Sequence, residues 1–326
     1  MTSRVVDVLG APYEAETIEL PDDDEGRVVA TLVSRPAQEP TGRAVLHVHG
    51  FADYFFQTPA ADYWTARGYD FYALDLRKYG RSLLEHQTPN FVTDLTDHYA
   101  ELDAAYERIT RRDGHDHVLV SAHSTGGLVT PLWAHDRRET GDGTSVTVSG
   151  TLAGMVLNSP WLDLQGSLLL RTAGTKAIDQ IGARRPYLTI PRDVSGFYAR
   201  SLHRDHHGEW DFDLAWKPLE SHPVYAGWLR AVRRGHARAH RGLDVPAPVL
   251  VLTSSASSHP KEYDETCSRT DIVLDVELIR KWVPKLGSHV TSVQVRDAVH
   301  DVTLSRPDVR ERVFDEITRW TEAYAR

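Results

Sequence analysis

The chain has 326 residues, which corresponds to about two average domains or to one large α/β domain with an insertion. Hydrophobic residues make up 41% and charged residues 25% of the sequence, so global disorder, collagen and coiled coil are excluded. The formal net charge is −9, and the arginine-rich stretch at 230–241 is too short for the basic surface that nucleic acid requires, so we expect no nucleic-acid partner.

Cysteine usage and hydropathy bear on the compartment. The single cysteine, Cys267, can form no internal disulfide, which is compatible with a reducing environment. The N-terminal residues do not show the pattern of a signal peptide, and no apolar run approaches the roughly 18 residues of a membrane span. We therefore expect a soluble, cytoplasmic protein without a transmembrane segment.

The first half of the chain alternates predicted strands and helices. Residues 16–20 and 27–33 flank an acidic turn, which is typical of a hairpin. Four compact apolar runs follow, at residues 44–49, 71–76, 118–122 and 152–157. Near-continuous apolar strands are typical of a parallel sheet that is buried on both faces. Residues 90–112 carry apolar side chains at steps of three and four, which predicts an amphipathic helix.

The alternation pauses between about residues 161 and 244. The prolines of this stretch predict several short helices rather than long ones, and they lie at Pro186, Pro191, Pro218 and Pro223. Strands resume at 248–252 and 289–295, and a final helix carries apolar residues from Val309 to Tyr324 at helical spacing. We therefore predict an α/β core formed by residues 1–160 and 245–326, with a helical insertion at 161–244.

A strand-to-helix turn in the middle of the chain carries the first chemical signal. The strand HVLVSA leads to Ser124, and a helix is predicted over 128–135. Such an elbow needs small residues two positions before and after a nucleophile, because the backbone is strained and its neighbours lie close. Ala122 and Gly126 occupy these positions. Ser124 is thus predicted to be a nucleophile, with a purely structural elbow as the alternative.

A serine hydroxyl needs a base that is oriented by a carboxylate. His300 lies between the last predicted strand and the last helix, where its side chain can overhang the carboxyl ends of the strands. The long loop before that strand offers several acids, Glu262, Asp264, Glu265, Asp271 and Asp275. Asp271 is the first choice and Asp264 the second. Asp275 is better explained as a helix N-cap, and Asp163 is a less favoured acid.

Two backbone amides must stabilise the oxyanion of an acyl-transfer intermediate. One is the amide after the nucleophile, which belongs to Thr125, and the other comes from an earlier loop. Gly50 ends a predicted strand in HVHGFADYF and allows a sharp turn that would point the amide of Phe51 toward the same pocket. Ordinary strand termination is the alternative reading of Gly50.

Together, the segments HVHGFADY, ALDLRKYGRS, SAHSTGGL, TDIVLDVE and AVHDVTLS resemble the α/β-hydrolase superfamily, in its branch of monoacylglycerol lipase-like and lysophospholipase-like serine hydrolases. The resemblance spans most of the chain. It implies an α/β fold with a mostly parallel central sheet flanked by helices, and a lid formed by the insertion. It also implies an oxyanion amide at Phe51, the nucleophile at Ser124, the acid at Asp271 and the base at His300.

The chain departs from the family pattern at three places. Ala122 stands where the elbow usually has glycine, and Pro131 lies inside the elbow helix, where we expect a bend. The stretch 255–269 is longer than the usual link between the strand and the acid. This third departure keeps Asp264 open as an alternative acid.

The insertion carries the apolar bulk that a pocket for an acyl or aromatic group requires. Its candidates are Trp161, Leu168, Leu169, Leu170, Tyr187, Phe197, Trp210, Phe212, Trp216, Tyr225 and Trp228, and plain packing on the core is the alternative for each. Tyr54, Phe55 and His123 are further candidates for the pocket.

One histidine-rich cluster has the residue types of a metal site, His203, Asp205, His206 and His207. It lacks the i, i+4 pair of a zinc hydrolase, so we expect a solvated loop. No metal and no cofactor are implied.

These features predict a cofactor-independent serine hydrolase that acts through an acyl-enzyme on a small-molecule carboxylic ester, with an apolar acyl or aromatic group. Amidases, aminopeptidases, acyltransferases and carbon–carbon hydrolases share the fold and remain alternatives. Binding of a small molecule without turnover is a further alternative, but binding alone does not need an activated nucleophile.

Overall fold

The computed structural model describes residues 4–139, 146–165, 178–192 and 194–325. The strands in these ranges are β1 (Val5–Val6), β2 (Glu14–Asp23), β3 (Gly26–Arg35), β4 (Arg43–Val48), β5 (Tyr69–Asp75), β6 (His117–His123), β7 (Leu152–Asn158), β8 (Val249–Ser254) and β9 (Val290–Val295). The α-helices are α1 (Thr58–Thr65), α2 (Tyr99–Glu107), α3 (Gly126–Asp136), α4 (Phe197–Leu202), α5 (Ala226–Arg241), α6 (Val276–Trp282) and α7 (Pro307–Tyr324). Residues 178–184 are also helical.

The described strands form one sheet in the order β1-β2-β3-β5-β4-β6-β7-β8-β9. Strands β4 to β9 pair with one another in parallel, whereas β1, β2 and β3 add an antiparallel edge that joins the parallel strands at β5. The β2–β3 pair confirms the predicted hairpin. Regular pairing stops at Leu20 and the register shifts before Asp23. Pro21, which has no amide to donate, lies in this irregular stretch.

Both faces of the sheet are buried, and this explains the near-continuous apolar strands. In β4, Leu46 and Val48 belong to a core that also contains Trp133 of α3, whereas Val45 belongs to a second core with Val313 of α7. Successive side chains of a strand point to opposite faces, so a strand covered on both faces needs apolar residues throughout. The structure confirms the predicted α/β architecture.

The helices differ from the predictions in detail. The helical pattern at 90–112 becomes a 3₁₀ turn at Leu95–His98, then α2, then a π-helical turn at Arg108–Arg112. Helix α3 includes Pro131, as expected, and the neighbouring Thr130 hydroxyl donates to the Gly126 carbonyl oxygen (2.9 Å).

The prediction of only short helices in the insertion is wrong. Helix α5 has 16 residues. It begins after Pro223, and the sequence has no further proline until Pro246, so nothing interrupts its backbone hydrogen bonds. The predicted insertion, residues 161–244, falls between β7 and β8. Among the described residues, none of the helices combines the length and apolarity needed to cross a lipid bilayer.

Strand order brings several loops to one edge of the sheet. Strand β4 lies between β5 and β6. After β4 the chain forms β5 on one side of it, and β6 then pairs with the other side of β4. Ligands of open α/β sheets bind outside the carboxyl ends of the strands at such a reversal. The loops after β4 and β6 meet there.

Candidate active site

Ser124 follows β6 directly and precedes α3. Its φ of +51° lies in the left-handed region, which is unusual for a residue other than glycine. Its amide donates to the Asn158 carbonyl oxygen (3.0 Å), and its carbonyl accepts from the Trp161 amide (2.9 Å). A Cβ atom at Gly126 would overlap the carbonyl oxygen of His49. The elbow therefore needs glycine at 126 because the end of β4 lies against it.

Ser124, His300 and Asp271 form a hydrogen-bonded row. His300 Nε2 lies 3.0 Å from Ser124 Oγ, and His300 Nδ1 lies 2.8 Å from Asp271 Oδ2. All three residues are buried, with exposed fractions of 8% for the serine, 2% for the histidine and 0% for the aspartate. Because a carboxylate only accepts, Nδ1 is the donor to Asp271 and Nε2 can accept from the serine hydroxyl. This arrangement allows the imidazole to remove the hydroxyl proton.

The backbone places Asp271 beside the end of β8. Its amide donates to the Ala256 carbonyl oxygen (3.0 Å), and its own carbonyl accepts from the Ser258 amide (3.1 Å). Its Oδ1 accepts from the amides of Val273 (2.8 Å) and Leu274 (2.7 Å). The chain thus leaves the strand end near residue 258 and returns to it at 271. The unusually long link adds residues without moving the acid away from the strand end.

The other acids that the sequence offered lie elsewhere. Three of them are exposed, namely Glu262, Asp264 and Glu265. Asp275 caps α6 by accepting from the Glu277 amide (3.0 Å), which confirms its prediction as an N-cap. Asp163 is buried, but its Oδ1 accepts from Arg233 (3.1 Å). Of this set, Asp271 is the acid in contact with His300.

The amides of Phe51 and Thr125 lie on the loops that flank Ser124. A Cβ at Gly50 would lie 3.0 Å from the serine Cβ, so the loop after β4 runs directly beside the elbow. Within the described residues, neither amide donates a hydrogen bond to another protein group. Thr125 also stands at the N-terminus of α3, where the helix dipole favours negative charge. Both amides are available to an oxyanion.

A buried polar cluster, which no sequence motif singled out, holds the loop that carries His300. Asp301 Oδ1 accepts from Asn158 Nδ2 (2.6 Å), and Asp301 Oδ2 accepts from Gln57 Nε2 (3.3 Å). Asn158 Oδ1 in turn accepts from the Val302 amide (3.0 Å). The end of β7 is thereby tied to the residues that follow the histidine. The only sequence signals are an acid directly after His300 and an asparagine at a strand end.

Charge and burial oppose each other at Asp301. Burial alone would raise the pKa of its carboxyl group, but the nearby His123 and hydrogen bonds from Thr303 and Asn158 lower this pKa to about 2. Burial lowers the pKa of His123, and the charge of Asp301 opposes this shift. The ring of His123 lies 4.8 Å from that of His300.

A cavity of about 500 Å³ opens beside Ser124. Core loops contribute Phe51, Ala52, Asp53, His123, Ser124, Thr125, Ile272, Val273, Leu274 and His300 to its wall. The insertion contributes a further set that includes Trp161, Leu164, Ile190, Arg192, Phe197, Tyr198, Lys217, Leu219 and Trp228. Most of these side chains are apolar, which suits a ligand with an apolar group.

The structure places some pocket candidates on this wall and others away from it. His123 and Trp161 line the cavity. Tyr54 and Phe55 do not, which corrects their assignment to the pocket. Phe55 packs under the sheet against Phe71, at 4.9 Å between ring centroids, because its amide turns inward to donate to Asp75 (3.1 Å). Tyr54 packs edge-on against Trp216 (5.1 Å).

The aromatic residues of the insertion divide in the same way. Phe197 and Trp228 line the cavity together with Trp161. Five others pack outside it, namely Tyr187, Trp210, Phe212, Trp216 and Tyr225. Leu168, Leu169 and Leu170 lie outside the described residues.

A buried ion pair joins the insertion to the loop after β4. Lys217 Nζ lies 2.7 Å from Asp53 Oδ1, and both side chains are buried. The rings of Phe56, Tyr198 and Phe212 surround the ammonium group at 5.7 to 5.8 Å. Both charged residues line the cavity.

The histidine-rich cluster has mixed burial. His203 is buried edge-on against Phe212 (4.7 Å), whereas Asp205, His206 and His207 are exposed. In the part of the chain that the structure describes, no group of three or more His, Cys, Asp or Glu side chains could hold a metal ion.

A mostly parallel sheet, with a serine on the sharp turn after β6 and a histidine in the loop after the last strand, defines the class of α/β-hydrolases. The family model described as serine aminopeptidase, S33, matches residues 39–258, and the chain belongs to this family. A comparison with curated proteins finds no match in sequence.

Solved structures of several hydrolases share the fold. A monoglyceride lipase from Saccharomyces cerevisiae is 17% identical with a TM-score of 0.62, over 95% of this chain and 96% of that chain. The monoacylglycerol lipase of Paleococcus ferrophilus is 19% identical with a TM-score of 0.62, over 89% and 97%. A carboxyl esterase from Bacillus coagulans is 11% identical with a TM-score of 0.62, over 96% and 99%. These likenesses confirm the predicted α/β-hydrolase fold.

Proposed function

We propose that this protein is a serine hydrolase that cleaves carboxylic esters through an acyl-enzyme on Ser124. The observation that carries the proposal is the buried row in which His300 joins Ser124 Oγ (3.0 Å) to Asp271 (2.8 Å). A serine hydroxyl becomes an effective nucleophile when an oriented imidazole can accept its proton.

The geometry supports a two-step reaction. His300 Nε2 takes the proton as Ser124 Oγ attacks the acyl carbon, while Asp271 orients the imidazole and stabilises its protonated form. The amides of Phe51 and Thr125 donate to the oxyanion. His300 then gives the proton to the leaving alcohol. In the second step the same imidazole activates water, which releases the acid and restores the serine.

The charge of the cavity favours an ester over an amino-terminal peptide. An aminopeptidase must bind the α-ammonium group of its substrate, and a free carboxylate is a strong partner for that group. Among the described residues that line the cavity, Asp53 is the one with an acidic side chain. Its Oδ1 already pairs with Lys217 Nζ at 2.7 Å. An ammonium group would therefore have to displace a buried lysine.

The position of the insertion supports a role as a cap over the substrate. Its residues Trp161, Tyr198 and Trp228 complete the wall of the cavity together with the core loops. The ring of Trp228 lies 4.2 Å from that of Phe51, next to the proposed oxyanion amide. The cap, which corresponds to the lid expected for 161–244, would hold the apolar part of the ester.

The test is hydrolysis of p-nitrophenyl esters from acetate to palmitate by wild type and Ser124→Ala. We expect the variant to lose at least about 10³-fold in kcat, since removal of a serine nucleophile costs several orders of magnitude. Ser121→Ala, three residues earlier on β6, is the matched control and should keep its rate. The chain length with the highest kcat/KM would measure the depth of the apolar pocket.

Retention of the wild-type rate by Ser124→Ala would refute the proposed nucleophile. Turnover of aminoacyl p-nitroanilides but not of esters would favour the aminopeptidase alternative. If folded protein hydrolyses neither and does not react with a fluorophosphonate probe, the proposed function is wrong.

A further inference from the structure

The wall of the cavity beside Ser124 carries an exposed arginine, Arg192, that has no counter-ion among the described residues. Of the charged side chains on its wall, Asp53 and Lys217 neutralise each other at 2.7 Å. Arg192 makes no ion pair and no hydrogen bond to any residue that the structure describes, and its Cζ lies 5.8 Å from the centre of the Phe51 ring. The wall therefore carries one positive charge that no described residue balances.

Arg192 differs in this respect from other arginines of the insertion. Arg230 pairs with Asp179 (2.8 Å), and Arg238 pairs with Asp136 (2.7 Å). Both of these arginines are only partly exposed, and each is held by its carboxylate partner. Arg192 instead borders the cavity, next to the loop that carries the amide of Phe51.

We propose that Arg192 determines specificity by binding an anionic oxyacid group, a carboxylate or a phosphate, on the ester substrate. The planar guanidinium fork matches both groups, because each presents two oxygens that accept parallel hydrogen bonds. Arg192 is exposed, so an anionic group of a substrate can reach its guanidinium from solvent. This inference rests on the proposed ester hydrolysis and specifies its substrate class.

The first experiment places the anion on the acyl side. Mono-p-nitrophenyl glutarate and adipate are compared with the uncharged pentanoate and hexanoate esters, and the ratio of kcat/KM for charged over uncharged ester is measured. We expect a ratio above one for wild type. Arg192→Gln should lower this ratio about 10- to 100-fold, the range of one charge-assisted contact, and Arg192→Lys should retain part of it. Arg204→Gln removes an exposed charge of the insertion outside the cavity wall and should leave the ratio unchanged.

The second experiment places the anion on the alcohol side. Release of fatty acid from a 1-acylglycerol 3-phosphate is compared with release from the 1-acylglycerol that has the same acyl chain. A selective loss in Arg192→Gln with this pair alone would assign the site to a phosphate on the alcohol. A selective loss with the glutarate and adipate esters alone would assign it to a carboxylate on the acyl group.

Equal loss for charged and uncharged esters, or an unchanged ratio in Arg192→Gln with both substrate pairs, would overturn the inference while leaving ester hydrolysis intact. If no ester is hydrolysed, the proposed function fails separately. Calorimetric binding of monodecyl phosphate and of decanedioate then decides the role of Arg192. Binding that Arg192→Gln abolishes supports the site, and binding that is equal in both proteins, or absent in wild type, overturns it.

Discussion

The core loops and the insertion meet at one cavity but are held in different ways. Directional hydrogen bonds hold the core residues, such as those from Ser124 to Asn158 and from Asp271 to Ala256. The insertion contacts the core through ring packing, as between Trp228 and Phe51, through the buried Lys217–Asp53 pair, and through hydrogen bonds such as the one from Trp210 Nε1 to the Leu304 carbonyl oxygen (2.9 Å). The core residues of the site are thus fixed by backbone hydrogen bonds at strand ends, whereas Trp228 and Lys217 contact the core through their side chains.

This difference indicates a division of work. A proton transfer needs atoms held within hydrogen-bonding distance, and strand ends joined by backbone hydrogen bonds meet that requirement. Apolar packing is less directional, so the side chains of the insertion are free to differ without disturbing the reacting atoms. We infer that the core performs the reaction and that the insertion selects the substrate.

The largest expected effect concerns the core. Asp271→Asn should lower kcat about 10⁴-fold, because an amide in place of the carboxylate favours the wrong tautomer of His300. Asp264→Asn, the matched control in the same loop, should stay within about twofold of wild type since its side chain is exposed. The measurement is kcat for the best p-nitrophenyl ester, with circular dichroism to verify folding. If folded Asp271→Asn keeps the wild-type kcat, the proposed role of the core in the reaction is wrong.

A smaller effect concerns the contact between the two regions. Asp53→Asn or Lys217→Met leaves the partner charge buried and unpaired, so each should lower the free energy of unfolding by about 3 to 5 kcal/mol. The double variant should recover most of this loss, because neither charge remains. Urea unfolding at neutral pH measures all three proteins.

The exposed pair Arg204 and Asp211, also in the insertion, is the control for that experiment. Its removal should change stability by less than about 1 kcal/mol, as is usual for exposed ion pairs. Equal effects at both pairs would show that the buried pair does not anchor the insertion.

The smallest expected effect is a dependence of the free energy of unfolding on pH. The pKa of Asp301 is about 2 in the folded protein and about 3.9 in an unfolded chain. The charged carboxylate therefore stabilises the folded state by about 2 to 3 kcal/mol above pH 4, and this contribution disappears as the pH falls through 2. Asp301→Asn should thus be less stable than wild type at pH 7, with a difference that narrows between pH 4 and pH 2. Urea titrations across this range measure it, and a constant difference would contradict the assignment.

Much of the core could be predicted because its signals are local. Apolar runs identified the strands of the parallel sheet, and Ser124 was recognised from the small residues around it. Tyr54 and Phe55 could not be assigned from their position in the chain, because the turn through Ala52, with φ of +49°, directs them away from the cavity. Proline spacing failed for α5 because the helix begins beyond the last proline of its segment.

By itself, the sequence determined the α/β class, the elbow at Ser124 and the N-cap at Asp275, since periodicity and turn chemistry depend on neighbours along the chain. Only the tertiary structure decided which of several acids contacts His300, that Lys217 neutralises Asp53, and that Arg192 has no charged partner among the described residues. These contacts join residues far apart in the chain, and their distances depend on how the sheet and the insertion pack together.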